Sequence, residues 1–297
     1  MTILSQKPTI NENIVLTLIQ EQFPEFEKLK IKKAPFNGID NHTFCLGDDM
    51  LVRMPSDTSY ASQVIKEQTW LPKLTQYLST PIPKPIKLGF PNNEYPFNWS
   101  IYNWIPGKSA NQLTLDNLEL YELAKDLANF ITELHLVPTF NAPAGGSHNY
   151  YRGCSLFHYH NEAISNIDIV KNLVDSEKLL QIWNYAITTQ WQNNPVWIHG
   201  DLASGNILIE NKKLSGVIDF GCTSIGDPAC DLTIAWTYLH GQARETFKNK
   251  LCLDADTWAR AKAWALWKAT FELITEKDKA SEKSLIQLRI IHDVISD

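Results

Sequence analysis

The chain has few cysteines, and they lack the spacing of a metal or disulfide motif. Five are present, at positions 45, 154, 222, 230 and 252, an odd number with no Cys-x-x-Cys pair. This usage argues against a zinc module and against the disulfide framework of a small secreted domain. We therefore expect reduced, mostly buried thiols in a cytoplasmic protein.

Long apolar runs and an excess of basic residues are also absent. The N-terminal stretch has no apolar segment of signal-peptide length, and no run approaches the ~18 apolar residues of a membrane-spanning helix. With 33 acidic against 27 basic residues, the net charge is −6. Nucleic-acid-binding proteins usually carry a basic stripe, so we predict neither membrane nor nucleic-acid partners.

The composition is that of an ordinary globular protein. The chain has 297 residues, of which 44% are hydrophobic and 20% charged. This length allows one large domain or two modest ones, with a sizeable core.

Three oxygen-bearing side chains follow short apolar runs in the second half of the chain. Asp201 and Asn206 lie on a loop between apolar runs at 196–198 and 207–209, and Asp219 ends a third run. Strands on either side would place all three at one edge of a small sheet. Amide and carboxylate oxygens suit Mg²⁺, which also takes phosphate oxygens. We predict Asn206 and Asp219 as metal ligands, and Asp201 as the base that orients a hydroxyl and accepts its proton.

The order of these residues resembles that of kinases. The motifs are His199-Gly200-Asp201 followed by Asn206, Asp219-Phe220-Gly221, and Gly226-Asp227-Pro228-Ala-Cys-Asp231. Each motif alone is usually structural or accidental, but three in order, each after a strand-like run, indicate an active site. The Ala-Pro-Glu segment of protein kinases is missing. The sequence therefore resembles the aminoglycoside phosphotransferase family of kinase-like enzymes, over roughly 36–295 and most closely over 199–231.

The resemblance implies an α+β, two-lobed, protein-kinase-like fold. A small antiparallel-sheet lobe at 1–104 would bind the nucleotide, and a larger, mainly helical lobe at 105–297 would carry catalysis and the acceptor. The implied reaction moves the γ-phosphate of ATP or GTP, with Mg²⁺, to a hydroxyl of a small molecule, first of all an aminoglycoside-like antibiotic or related amino-sugar. Choline-like, macrolide and sugar kinases share the fold, so these acceptors remain open. A non-catalytic nucleotide-binding protein and a metal-dependent hydrolase are the alternatives.

Arg53 and Glu67 are the candidates for gripping phosphate. Arg53 ends an apolar strand at the place where kinases carry a lysine, and arginine offers a permanently charged bidentate donor. Glu67 lies on the following predicted helix, where kinases carry the partner glutamate. The alternative is that both are ordinary surface charges.

Further nucleotide contacts are expected at a polar turn and at the lobe boundary. The turn at 37–42 lacks Gly-x-Gly-x-x-Gly, but the resembling family often uses polar side chains there, which makes Asn41 and His42 candidates. A plain hairpin turn is equally compatible. At the boundary, before Pro106-Gly107, the nearest groups for a nucleotide base are Asn103, Trp104 and Ile105.

Hydrophobic periodicity and turn residues predict the remaining elements. We expect strands at 29–34, 86–90 and 99–105, a hairpin pair between 36 and 55, and helices at 11–22, 60–78, 116–135, 159–172, 176–191, 256–275 and 281–295. Thr114 is the expected cap of the third helix. Asp227-Pro228 is a further expected helix start, with Asp227 as the cap and proline at the first helical position. The resemblance implies that Asp231 braces the catalytic loop. The patch at 148–153 and some of Trp258, Trp264 and Trp267 are expected to border the acceptor pocket.

Overall fold

The computed structural model describes residues 10–34 and 40–297, which divide into two compact units. The smaller unit extends to Gly107 and also includes Ser215–Gly221, and the larger comprises Lys108–Leu214 and Cys222–Asp297. The sequence predicts a boundary between 104 and 105 but gives no sign that Ser215–Gly221 returns to the first unit. The assignment of nucleotide binding to 1–104 and of catalysis and acceptor binding to 105–297 stays a prediction.

The smaller unit is built on a five-stranded antiparallel sheet. Its strands are β1 (Ile31–Lys33), β2 (Asn41–Leu46), β3 (Met50–Pro55), β4 (Pro85–Gly89) and β5 (Trp99–Asn103). They lie in the order β1-β2-β3-β5-β4. Arg53 on the central strand β3 faces Thr43 on one side and Ser100 on the other. The predicted hairpin pair is present, and the sheet fixes the position of Arg53 from both sides.

Two helices accompany this sheet. The first, α1 (Glu12–Gln22), begins at Asn11, whose side chain accepts from the amides of Asn13 and Ile14. Its apolar face joins a core cluster that includes Phe44 and Trp99 of the sheet. The second, α2 (Thr58–Leu74), is capped by Asp57 and buries Glu67. It ends before the predicted residue 78, soon after an internal proline that cannot continue the backbone hydrogen-bond pattern.

The larger unit is mainly helical. Its α-helices are α3 (Asn117–Leu136), α4 (His160–Val170), α5 (Ser176–Thr188), α6 (Ile234–Thr237), α7 (Gly241–Leu251), α8 (Ala255–Thr275) and α9 (Glu282–Ser296). Helix α8 packs against α4, α5 and α9, and it is buried on most of its faces. This central helix carries all three tryptophans that were considered for the pocket, Trp258, Trp264 and Trp267.

One local prediction for this unit is wrong, and one helix was missed. The cap of α3 is Asp116 and not Thr114, because Asp116 and Glu119 form a reciprocal capping box. The helix predicted to start at Asp227-Pro228 is present as a 3₁₀-helix, Pro228–Thr233, capped by the Asp227 side chain. Helix α7 was not predicted, since its sequence is largely polar and offers few apolar positions to the helical pattern.

Short strands frame the polar loop at 199–206. Strand β6 (Lys108–Ser109) pairs with β8 (Ile207–Glu210), and β7 (Val196–Ile198) pairs with β10 (Ser224–Gly226), both antiparallel. The loop therefore lies between strands β7 and β8, as predicted. Strand β9 (Lys213–Val217) carries the chain from the larger unit back into the smaller. Over residues 10–34 and 40–297, every helix is too short or too polar to cross a membrane.

Candidate active site

Arg53 lies between two carboxylates in the smaller unit. Its Nη1 is 3.1 Å from Glu67 Oε1, and its Nη2 is 2.9 Å from Asp219 Oδ1. The side chain of Glu67 is only 4% exposed, so the alternative of two ordinary surface charges is wrong. Burial alone would lower the pKa of Arg53, but the carboxylates of Glu67 and Asp219 outweigh it and raise the pKa. The guanidinium is a fixed positive charge at this position.

Tyr102 holds the other oxygen of Glu67. Its hydroxyl donates to Glu67 Oε2 at 2.5 Å. Burial first, and then the neighbouring Glu67 carboxylate, raise the pKa of Tyr102, so the hydroxyl remains a donor. Sequence reasoning missed Tyr102, because an aromatic residue in a buried strand is indistinguishable from core packing.

The backbone around Asp219 is fixed by two conformational constraints. Asp219 has φ of 68°, in the left-handed region that aspartate tolerates better than most residues. A Cβ on Gly221 would lie 2.5 Å from Gln63 Oε1 of α2, so a larger residue there would displace the Gln63 side chain. Phe220 between them is fully buried. The Asp-Phe-Gly motif thus anchors this turn in the smaller unit and directs the Asp219 carboxylate to Arg53.

The predicted residues of the polar turn lie at the start of β2. Asn41 is buried and His42 is half-buried, while residues 37–39 of the turn lie outside the described residues. Burial, and then the charge of Lys33, lower the pKa of His42, which favours a neutral imidazole. Phosphate contacts by Asn41 and His42 stay predictions.

At the end of β5, most of the predicted base-binding groups have partners within the protein. Asn103 Oδ1 accepts from Lys84 N at 2.6 Å, and Asn103 N–H donates to Lys84 O at 3.2 Å. The Trp104 N–H donates to Asp49 O at 2.7 Å. Asn103 therefore holds the connecting segment in place, and Ile105 is the better candidate for a backbone contact with the nucleotide base.

In the larger unit, Asp231 holds the His-Gly-Asp loop. Its fully buried carboxylate accepts from the amides of His199 and Gly200, at 2.6 and 2.8 Å. Burial raises the pKa of Asp231, and the nearby His199 and the two amide hydrogen bonds oppose that rise. Asp231 is thus a bracing residue, as the resemblance implies, and not a group that meets the substrate.

Gly200 is required by both conformation and space. Its φ is +84°, and a Cβ there would lie 2.4 Å from Cys222 O. We expect Gly200→Ala to lower the free energy of unfolding by about 2 kcal/mol or more, because left-handed strain adds to the backbone clash. A urea titration checks this. Gly241→Ala is the matched control, since Gly241 has φ of +51° and open space around it. Equal losses in the two variants would contradict the role of the close approach.

Asp201 lies beside a lysine of α8. Lys268 Nζ is 3.3 Å from Asp201 Oδ1, and the Asp201 amide donates to His199 Nδ1 at 3.2 Å. Burial alone would raise the pKa of Asp201, but the neighbouring Lys268, His199 and Arg152 reverse this, so the pKa lies below its ordinary value. The carboxylate, which is 41% exposed, is therefore ionised at neutral pH and able to accept a proton.

Asn206 is oriented by Asp201. Its Nδ2 donates to Asp201 O at 2.9 Å and approaches Asp201 Oδ2 at 3.4 Å. This orientation leaves the amide oxygen as the acceptor that a cation could use. Over the described residues there is no group of three or more His, Cys, Asp or Glu suited to a metal. Amide and carboxylate oxygens are ligand types that Mg²⁺ takes, with phosphate and water oxygens filling its shell, and the assignment of Asn206 and Asp219 as its ligands stays a prediction.

A small cavity of about 20 Å³ opens beside Asp201 within the larger unit. It is lined by Arg152, Gly200, Asp201, Leu202, Cys230, Thr233, Trp264, Trp267 and Lys268. Of the predicted patch at 148–153 only Arg152 lines this cavity, together with two of the three tryptophans, whereas Lys268 was missed. The available signal was a lysine inside the apolar run of α8, since buried lysines are rare unless paired.

Comparison with known proteins gives consistent matches. The model of the phosphotransferase enzyme family, APH, matches residues 33–264. An aminoglycoside 3'-phosphotransferase of Escherichia coli is 28% identical over 197 residues, which are 65% of this chain and 69% of that protein. The solved GDP and kanamycin complex of APH(2")-IIia has a TM-score of 0.70 at 19% identity, covering 95% of this chain and 98% of that one. A macrolide 2'-phosphotransferase type I has a TM-score of 0.61 at 16% identity, covering 96% and 95%. These likenesses confirm the predicted kinase-like α+β fold.

Proposed function

Because the chain belongs to the phosphotransferase enzyme family, we propose that it transfers the γ-phosphate of ATP or GTP to a hydroxyl of a small molecule. The observation that carries this proposal is that the Arg53 guanidinium forms ion pairs with Glu67 and Asp219 at the same time. A buried cation between those two carboxylates is what a kinase uses to meet a polyphosphate. The ionised Asp201 supplies the complementary function, a base for an acceptor hydroxyl.

Each residue has a defined role in this proposal. Asp201 orients the acceptor hydroxyl and takes its proton as the new P–O bond forms, while the bond from the γ-phosphorus to the bridging oxygen breaks and leaves ADP or GDP. Arg53, fixed by Glu67, neutralises phosphate charge. Asp219 and Asn206 would hold Mg²⁺, which would supply charge neutralisation at the phosphate oxygens. Positioning and electrostatics provide most of the rate in such reactions.

The relatives make an aminoglycoside the first acceptor to test. The Escherichia coli relative is named an aminoglycoside phosphotransferase, and a structural neighbour was solved with kanamycin. Phosphorylation of such an antibiotic would make this protein a resistance enzyme of the cytoplasm, where ATP and GTP are supplied. A macrolide acceptor is the second case, from the likeness to a macrolide phosphotransferase.

The test is acceptor-dependent nucleotide consumption by purified protein. ADP or GDP release is followed with ATP or GTP, Mg²⁺ and a panel that contains kanamycin, a macrolide and neutral and acidic hydroxy compounds. Release that depends on an acceptor supports the proposal. Phosphate release that is independent of any acceptor would indicate a hydrolase, and nucleotide binding without turnover would indicate a non-catalytic protein.

Arg53 and Glu67 are expected to act as a unit. Arg53→Ala and Glu67→Ala should each lower kcat/KM for the nucleotide by roughly 10²-fold, as loss of one preorganised charge contact does. The double variant should be little worse than either single one, because each loss already disrupts the same pair. Steady-state kinetics of the four proteins measure this coupling.

The control for this cycle is Tyr102→Phe. It removes the hydrogen bond to Glu67 Oε2 and leaves the Arg53 contact to Oε1 in place, so its effect should be smaller than that of Glu67→Ala. Losses that simply add in the double variant would show that Arg53 and Glu67 act separately.

A further inference from the structure

The cavity beside Asp201 is lined by more positive than negative side chains, an excess that the proposed reaction alone does not require. Its lining contains two cations, Arg152 and Lys268, and one carboxylate, Asp201. Two other carboxylates of the same region, those of Asp231 and Asp227, are paired with groups of the protein itself. Asp231 accepts from the amides of His199 and Gly200, and Asp227 is paired with Arg260 at 2.6 Å. The cavity therefore presents a net positive charge to a ligand.

Arg152 is held as a binding group by aromatic side chains. Its guanidinium carbon lies 5.0 and 5.1 Å from the ring centroids of Trp264 and Trp267, within cation–π range. Among the described residues its Nη1 is buried with no hydrogen-bond partner. Burying a donor without an acceptor costs free energy. A ligand oxygen that accepts a hydrogen bond from Nη1 would remove this cost, and its binding would be favoured accordingly. The aromatic packing limits the movements by which Arg152 could find another partner.

Lys268 retains hydrogen-bonding capacity beyond its contact with Asp201. An ammonium group has three donors. The Lys268 side chain is 34% exposed, and its ion pair with Asp201, at 3.3 Å, uses one of these donors. A ligand that brings its hydroxyl to Asp201 therefore also comes close to a second cation. The two cations lie on different segments of the larger unit, the loop before α4 and the helix α8.

We propose that the acceptor carries an anionic group, which Arg152 and Lys268 bind while its hydroxyl meets Asp201. This inference rests on the proposed phosphotransferase function and specifies its acceptor. The indole rings of Trp264 and Trp267, which meet at an interplanar angle of 85°, add apolar surface to the lining of the cavity. A polycationic aminoglycoside is disfavoured, because its ammonium groups would meet two fixed cations and only one carboxylate.

The test uses small aromatic probes of similar size and different charge. Calorimetry with Mg²⁺ and a non-hydrolysable ATP analogue measures the binding of meta-hydroxymethylbenzoate, the neutral benzamide and the cationic benzylamine, with kanamycin as a polycation. The benzoate should bind at least roughly 10-fold more tightly than the benzamide, as loss of a charge-assisted hydrogen bond predicts, and the benzylamine should bind most weakly. A phosphonate analogue then shows whether the anionic group is preferred as a carboxylate or as a phosphate-like group.

Variants assign this preference to the two cations. Arg152→Gln and Lys268→Gln should each remove most of the difference between benzoate and benzamide, whereas Arg152→Lys and Lys268→Arg should keep part of it. Lys262→Gln is the matched control, because Lys262 lies on the same helix but pairs with Asp297. It changes the net charge equally and should leave the preference intact.

Two results would overturn the inference. One is equal binding of the benzoate, the benzamide and the benzylamine, or a preference for the benzylamine or kanamycin. The other is a loss of turnover in Lys268→Gln that is uniform for all acceptors, with the charge preference unchanged, which would assign Lys268 to the transferred phosphoryl group. A charge preference in binding without acceptor-dependent nucleotide turnover would instead contradict the proposed function and leave the anionic specificity standing.

Discussion

Asp201→Asn is expected to lower acceptor-dependent turnover by about 10²–10⁴-fold, the typical contribution of general base catalysis. An alcohol is a poor nucleophile, and its proton must leave as the phosphoryl group arrives. Asparagine keeps the shape of the side chain and an acceptor oxygen but loses the negative charge and the basicity. Nucleotide affinity should change little, because Arg53, Glu67 and Asp219 are untouched. A coupled assay gives turnover, and calorimetry gives the affinity for Mg²⁺-nucleotide.

The control for this experiment is a carboxylate far from the loop. Asp168→Asn makes the same chemical change at a side chain that is 71% exposed and pairs only locally with Lys171, and it should leave turnover unchanged. A collapse of nucleotide affinity in Asp201→Asn, with normal turnover per bound nucleotide, would make Asp201 a binding or structural residue and refute its role as the base.

Asp219→Asn is expected to reduce turnover by about 10³-fold, since metal-assisted charge stabilisation contributes several kcal/mol. Asparagine is preferred over alanine here because it tolerates the left-handed φ of 68°. The substitution removes the one carboxylate proposed for Mg²⁺ while Arg53 keeps its pair with Glu67. The measurement is turnover as a function of Mg²⁺ concentration, and the midpoint should rise together with the loss of maximal rate.

The metal role can be separated from the Arg53 contact. Without Mg²⁺, nucleotide affinity in Asp219→Asn should not fall, because Arg53 is then less neutralised by the protein. Asp48→Asn, an exposed carboxylate in the β2–β3 turn, is the matched surface control. Normal maximal turnover of Asp219→Asn at saturating Mg²⁺ would refute the assignment of Asp219 as a metal ligand.

The positions of the candidate catalytic residues along the chain could be predicted because they depend on local sequence patterns. Strands β7 and β8 are short apolar runs, and Asp201 and Asn206 are the polar residues between them. The helices α1, α3, α8 and α9 follow from apolar periodicity, which depends only on neighbouring residues. Helix α7 escaped this reasoning because its few apolar residues pack on α3, and only the folded chain provides that surface.

The tertiary structure decided which distant residues meet. Glu67 is flanked by Tyr102 and Arg53 because β3, β5 and α2 pack together, and no local signal indicates such a contact. Lys268 reaches Asp201, and Arg152 reaches two tryptophans of α8, through packing of segments far apart in the sequence. The sequence alone therefore indicated the candidate catalytic groups through its motifs, and the fold class through the family resemblance that those motifs carry. The net positive charge of the cavity beside Asp201 could be found only from the structure. It is the combined charge of side chains that are far apart in the sequence and meet only in the folded chain.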